Sequence, residues 1–221
     1  MMPSVSEMAT LGRRLGQGMR DEVTLLIFTD DGTLLAQEIV AFARALAEMS
    51  PKILVEIEKV VDGKNQRMSD LRIENHPVMV LVKGDFNRIR YYGLPGGYEA
   101  SALADGIVEL SNSRVALSPQ AKASLDTVRR RANIKVFVMT TCPFCPIVVR
   151  HAYRAALGSS KVTSEVIDVQ MFPDLALKHS VMGVPKVILN DNTDLTGAME
   201  EAVFFAKLKE ADIALLDSIY G

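Results

Sequence analysis

Cysteine occurs twice in the 221 residues, at Cys142 and Cys145, with Pro143 and Phe144 between them. Thiols at this spacing can attack a disulfide, close a disulfide of their own and be reduced again, so the pair points to thiol–disulfide exchange. The attacking species is the thiolate, which the positive end of a helix stabilises. The sequence places Cys142 at such an end, as the N-cap of a helix. Cys145, one turn further in, is spaced to attack a mixed disulfide on Cys142 and release the reduced substrate.

The flanking elements support this placement. Ile134 to Thr140 is an apolar run rich in branched and aromatic residues, which reads as a buried strand. Pro143 suits the first position of a helix, where a missing N–H costs nothing. That helix carries Ile147, Val148, His151, Ala152, Ala155 and Ala156 on one side and ends near Gly158. A zinc site is a weaker reading, because the other soft ligands are only His76, His151 and His179 and no second cysteine pair exists. Inert core cysteines would need neither the spacing nor the helix start. No metal is expected, and no cofactor beyond a redox-active Cys142–Cys145 disulfide.

A composition of 48% hydrophobic and 24% charged residues is that of a globular protein. The net charge of −2 argues against nucleic acid as a partner. Arg129, Arg130 and Arg131 form the one basic cluster and read as the end of a helix beginning near Ser118, complementing its dipole. Arg13, Arg14 and Arg20 are not followed by a signal-length apolar stretch, and the apolar runs are too short to span a membrane. The expectation is a cytoplasmic protein without a membrane partner, where a lone cysteine pair is redox-active rather than a structural staple.

The order strand, helix, strand, helix, strand, strand, helix occurs twice. It runs from Val23 to Ser111 and again from Ile134 to Ser218, which predicts an α/β fold of two tandem units at residues 1–115 and 116–221. Pro77 and Pro185 precede corresponding strands, where a residue without an N–H fits only the first position. Thr33-Leu34-Leu35-Ala36 stands where the first copy would carry cysteines, so that unit reads as a scaffold.

Strand, Cys-Pro-Phe-Cys and Gly183-Val184-Pro185 together resemble a glutaredoxin or thioredoxin fold, each unit a mixed sheet flanked by helices. With Tyr92 to Gly97 and the duplicated order, the chain from Val23 onward is similar to the glutaredoxin-like protein disulfide oxidoreductases. It also resembles the N-terminal domain of the flavoprotein that reduces peroxiredoxins. The resemblance implies protein-disulfide substrates, a peroxiredoxin among them, and a thioredoxin-reductase-like flavoprotein as electron donor. It implies a cis Val184–Pro185 bond that turns the Val184 backbone toward Cys142, with Pro143, Phe144, Val184 and Pro185 forming the substrate groove. Many members of the family carry cysteines in both units, and Thr33 and Ala36 depart from that pattern. Leu195 to Glu200 lacks the Gly-Gly-x-Asp stretch with which glutaredoxins hold glutathione. The rival reading is a non-catalytic binding or scaffold protein.

Asp168 and Glu165, on the strand after the cysteine-bearing helix, are candidates to take the proton that Cys145 must lose. His151 reads as a satisfied or surface histidine, and Lys186 as a solvated strand-edge charge.

Overall fold

The computed structural model describes residues 5–30 and 32–220. The first copy of the repeat comprises β1 (Val23–Thr29), α2 (Leu34–Met49), β2 (Ile53–Lys59), α3 (Gln66–Asp70), β3 (Val78–Lys83), β4 (Phe86–Tyr92) and α4 (Gly97–Ser111), preceded by α1 (Val5–Gly18). A connecting helix, α5 (Pro119–Asp126), leads to the second copy. That copy is β5 (Ala132–Val138), α6 (Cys145–Gly158), β6 (Val162–Asp168), α7 (Pro173–Lys178), β7 (Lys186–Leu189), β8 (Thr193–Thr196) and α8 (Glu201–Tyr220).

Local chemistry sets several boundaries. Thr33 caps α2 by accepting a hydrogen bond from the Ala36 N–H at 3.1 Å, and Ser118 caps α5 by accepting from Ala121 at 3.2 Å, just before Pro119. His76–Pro77 and Val184–Pro185 are both cis, at the same place in each copy. Two expectations need correction. The Arg129–Arg131 cluster does not end a helix, because α5 stops at Asp126 and the arginines lie in the connection to β5. The sequence reading also passed over α1, whose Leu11 and Leu15, four residues apart, bury one face against α2 and α4.

All strands join one eight-stranded sheet in the order β2-β1-β3-β4-β6-β5-β7-β8. Within each copy the pairings repeat: β1 is parallel to β2 and antiparallel to β3, as β5 is to β6 and β7. The copies meet where β4 pairs in parallel with β6, Ile89 opposite Ser164 and Tyr92 opposite Ile167. One face is covered by α1, α2, α4, α5, α6 and α8, which bury residues such as Phe42, Leu103, Val149 and Phe204. The other face carries only the short α3 and α7, packed through Met68 and Leu175. The β4–β6 seam is therefore left between two short helices, and polar side chains cover it.

Arg90 on β4 donates to Glu165 on β6 at 3.0 Å, and both side chains are 9% exposed. Tyr92 donates to the same carboxylate at 3.0 Å, and Asn133 on β5 donates to its other oxygen at 2.9 Å. Glu165 thus ties the two copies together and is not free to serve the cysteines. Glu165→Ala should destabilise the protein by about 3–5 kcal/mol, because it strands the Arg90 charge in a buried site. Replacing Arg90 and Glu165 together with Met and Leu should recover most of that loss in urea unfolding, whereas equal losses in the single and double variants would show that the pair itself is not the origin.

Candidate active site

The cysteines lie in the connection from β5 to α6, but Cys142 is not the N-cap expected from the sequence. The helix begins at Cys145, with Phe144 before it already in the right-handed helical region. Pro146 explains the difference: it lacks the N–H that would bond back to the Cys142 carbonyl and start the helix at Pro143. Pro143 accordingly occupies a turn ahead of the helix, and the Cys142 N–H closes the turn before it on the Met139 carbonyl at 3.0 Å.

The two thiols are free and sit in unequal environments. Cys142 is half-buried, and its Sγ lies 3.9 Å from the Val184 carbonyl in the segment that leads into β7. Phe144 and Ile147, close to it in the chain, and Met182, two residues before Val184, are exposed, Met182 almost fully, which puts apolar side chains at the surface near the sulfur. Pro185 is buried beneath this surface. Cys145 is fully buried in the helix-covered core. Burial raises its thiol well above the ordinary range, the hydrogen bond with Cys142 raises it further, and the Met139 backbone offsets this in part.

The first unit reaches into this site. The Tyr98 N–H donates to the carbonyl of Thr140 at 3.0 Å, fastening the start of α4 to the cysteine-bearing connection. Gly97 makes this approach at φ 53°, and a Cβ there would come within 2.4 Å of the Thr140 oxygen. Tyr98, Leu11, Pro143 and Pro146 border a cavity of about 400 Å³ beside the cysteines.

Two residues further along α4, Glu99 is fully buried, and neither carboxylate oxygen has a hydrogen-bond partner among the described residues. Burial raises its pKa to about 8, with the Arg150 guanidinium pulling down and Asp168 adding to the rise. Its charge also acts on Cys145, Tyr91 and Tyr153. The hydroxyls of both tyrosines and one oxygen of Asp168 are likewise buried without partners. The cysteine pair thus backs onto a buried polar cluster drawn from β4, α4, α6 and β6.

Of the two carboxylates expected from the sequence to serve Cys145, Asp168 belongs to this cluster and is itself raised by burial. Glu165 points to the opposite face of the sheet, as strand alternation requires. Glu99 was missed because an acid in the first turn of a helix reads as dipole compensation. The one available signal was its position two residues after Gly97 in a helix whose first turn is otherwise apolar or aromatic. His151 is a buried histidine whose Nε2 lies 3.2 Å from the Met199 carbonyl. Lys186 is not a solvated edge charge: it is 7% exposed, and its Nζ donates to the His179 carbonyl at 2.8 Å and to Asp194 at 2.7 Å.

Comparison with known proteins agrees with this architecture. Residues 132–210 match the thioredoxin domain family. The chain superposes on the alkylhydroperoxide reductase AhpF of Enterococcus faecalis with a TM-score of 0.85 and 25% identity, covering 94% of this chain and 100% of that one. Against a protein disulfide oxidoreductase from Aeropyrum pernix the TM-score is 0.83 at 24% identity, covering 96% and 94%. A relative named NADH dehydrogenase in Bacillus subtilis is 22% identical over 173 residues, 78% of this chain and 32% of the relative. The chain therefore spans about a third of that relative's length. The fold is a tandem of thioredoxin-fold units, similar to the protein disulfide oxidoreductases and to the alkylhydroperoxide reductase. No helix among the described residues is long and apolar enough to cross a membrane.

Glu99 should leave a mark on stability against pH. The folded state keeps its proton up to about 8, whereas the unfolded chain releases it near the ordinary 4.5. Between those values the folded state binds more protons, so Glu99 lowers stability as pH rises across that window. Glu99→Gln should match the wild type below pH 4.5 and become progressively more stable than it toward pH 8. A stability difference that stays constant across thermal melts from acid to alkaline pH would show that Glu99 is not held protonated.

Proposed function

We propose that the chain is a protein dithiol–disulfide oxidoreductase working through Cys142 and Cys145, with Glu99 as the proton acceptor. The observation that carries this reading is the asymmetry of the pair: one sulfur half-buried near exposed apolar side chains, the other fully buried in a core where the charge of the unpartnered Glu99 carboxylate reaches it.

In the reducing direction the Cys142 thiolate attacks one sulfur of a substrate disulfide and expels the other as a thiolate, leaving a mixed disulfide. Cys145 then gives its proton to Glu99 and attacks Cys142 Sγ, expelling the second substrate sulfur. Two electrons pass to the substrate, and the Cys142–Cys145 disulfide closes. The buried Cys145 thiol needs such an acceptor, because burial opposes its ionisation. The Val184 carbonyl beside Cys142 supports a role for Val184 and Pro185 in pairing with an extended substrate segment, and Phe144 and Pro143 supply apolar contact next to it.

The names of the relatives support reduction as the working direction. One relative is named an NADH dehydrogenase and one similar structure an alkylhydroperoxide reductase, and both names fit a chain that carries electrons toward a disulfide. Protein disulfides, a peroxiredoxin among them, are the proposed substrates, and a flavoprotein reductase is the proposed source of electrons. No bound cofactor is part of this reading, and the setting is the cytoplasm.

The exchange assay separates the roles. Cys142→Ser should abolish reduction of a protein disulfide, whereas Cys145→Ser should still attack and accumulate a mixed disulfide visible on a non-reducing gel. Equal trapping by both variants would overturn the assignment. Glu99→Gln should slow release from the mixed disulfide by about 100-fold. The wild-type rate should rise as pH passes about 8, where Glu99 becomes the free base, and the variant should lack that rise. A variant that keeps the same rise would move the proton acceptor elsewhere.

A further inference from the structure

The polar face of the β4–β6 seam forms the floor of a groove of about 1020 Å³, walled by the end of α3 on one side and by α7 on the other. At the end of the groove farthest from the cysteines, strand register gathers a cation on β4 with those just before β5 and β6. Ile89 pairs with Ser164, which sets Arg88 beside Thr163, and Ala132 pairs with Val162, which sets Arg131 beside Lys161. Neighbouring strands lie about 4.8 Å apart, so these side chains share one small region.

Their charges are not balanced within the fold. Arg88 is partly buried, and its polar contacts are the Ala156 carbonyl at 3.3 Å and the face of Phe86 at 4.5 Å. Lys161 donates to the Val128 carbonyl at 3.1 Å. None of Arg88, Lys161 and Arg131 has a carboxylate partner among the described residues. Two carboxylates of the groove, Glu165 and Asp191, are already engaged by Arg90 and Lys135. A part-buried guanidinium without a counter-charge is costly, and an anion supplied from outside removes that cost.

Unmet hydrogen-bonding capacity points the same way. Arg88 Nε, Arg90 Nε and Asn190 Nδ2 are buried donors without partners, Arg90 being 7% exposed, and all three residues line the groove. Arg72, Asn190 and Asp191 on its rim adopt left-handed backbone conformations at φ 56°, 54° and 59°. Such geometry persists where the surroundings hold it and gathers at binding sites.

We propose that this groove is an anion site that binds a diphosphate group, held by Arg88, Lys161 and Arg131 with the Thr163 and Ser160 hydroxyls. Cations on β4 and just before β5 and β6 span more than one phosphate, and hydroxyl and guanidinium donors match phosphoryl oxygens. The site lies a strand's length, about 20 Å, from the dithiol, which sits beyond the Val138 and Asp168 ends of β5 and β6. It is therefore independent of the exchange chemistry.

Calorimetric titration of the full chain with sodium pyrophosphate, with ADP and with adenosine tests this. Pyrophosphate should bind one to one, more weakly as salt is raised, and adenosine should not bind. ADP binding more tightly than pyrophosphate assigns the diphosphate to a nucleotide, and equal affinity assigns it to the diphosphate alone. Arg88→Gln and Arg131→Gln should each weaken pyrophosphate binding by about tenfold while disulfide exchange at Cys142 stays at the wild-type rate, which also shows that the variants fold. Absence of pyrophosphate binding at millimolar concentration, or affinity unchanged in both variants, would overturn the proposal. So would binding of a poly-glutamate peptide in place of pyrophosphate, which would make the groove a docking site for acidic polypeptide.

Discussion

The parallel pairing of β4 with β6 is the constraint on which the molecule depends. Without it the two copies of the repeat would be separate domains, each with its own sheet. With it they share one sheet and one helix-covered core, and α4 of the first copy packs on α6 of the second. Gly97 meets Thr140 because of that packing, and Glu99 is buried where its charge acts on Cys145 for the same reason. On the reverse face the seam brings together Arg90 and Glu165, which no single copy could pair. One set of backbone hydrogen bonds thus generates both the acid behind the dithiol and the groove on the other side.

The core near the cysteines is assembled against the usual rule for interiors. Buried polar atoms are normally hydrogen-bonded, yet Glu99, Tyr91, Tyr153 and Asp168 all present unpartnered oxygens, and Glu99 acts on each of the tyrosines and on Cys145. A fold selected for stability alone would fill this space with apolar side chains. A buried carboxyl that stays protonated to about pH 8 is poised to give and take a proton at neutral pH, which a solvated one is not.

Much of this was legible in the sequence. Branched strands, capped helices and the matched prolines Pro77 and Pro185 gave the repeat and most element boundaries, because period and turn chemistry are local properties. The cysteine pair was legible for the same reason. The strand pair that joins the copies was not, since nothing local to β4 or β6 names its partner. Glu99 was lost with it, because its meaning depends on what α4 packs against. Glu165 and Asp168 were separable in principle: they lie an odd number of positions apart on one strand, so only one of them can face the cysteine side. The expected N-cap failed on a single covalent detail, the second proline at 146, which removes one helix hydrogen bond.

Only the second copy carries cysteines, and the shared sheet gives the two corresponding places unlike surroundings. Ala36 occupies the position of Cys145 and is as well buried, at 2% exposure, so the packing of α2 survives loss of the sulfur. Thr33 takes the place of Cys142, and its hydroxyl caps the helix that Cys142 does not cap. A dithiol there would still lack a proton acceptor of the Glu99 kind. The copies are joined along one seam, so the first unit lends its last helix to the second, whereas α8 packs on α5 and α6 and leaves α2 to α1. Counted from Gly93 and Gly197, which follow β4 and β8, the residue corresponding to Glu99 is Val203, half exposed and without charge. The fold has two cysteine-sized places, and in this chain a buried acid stands behind only the one in the second copy.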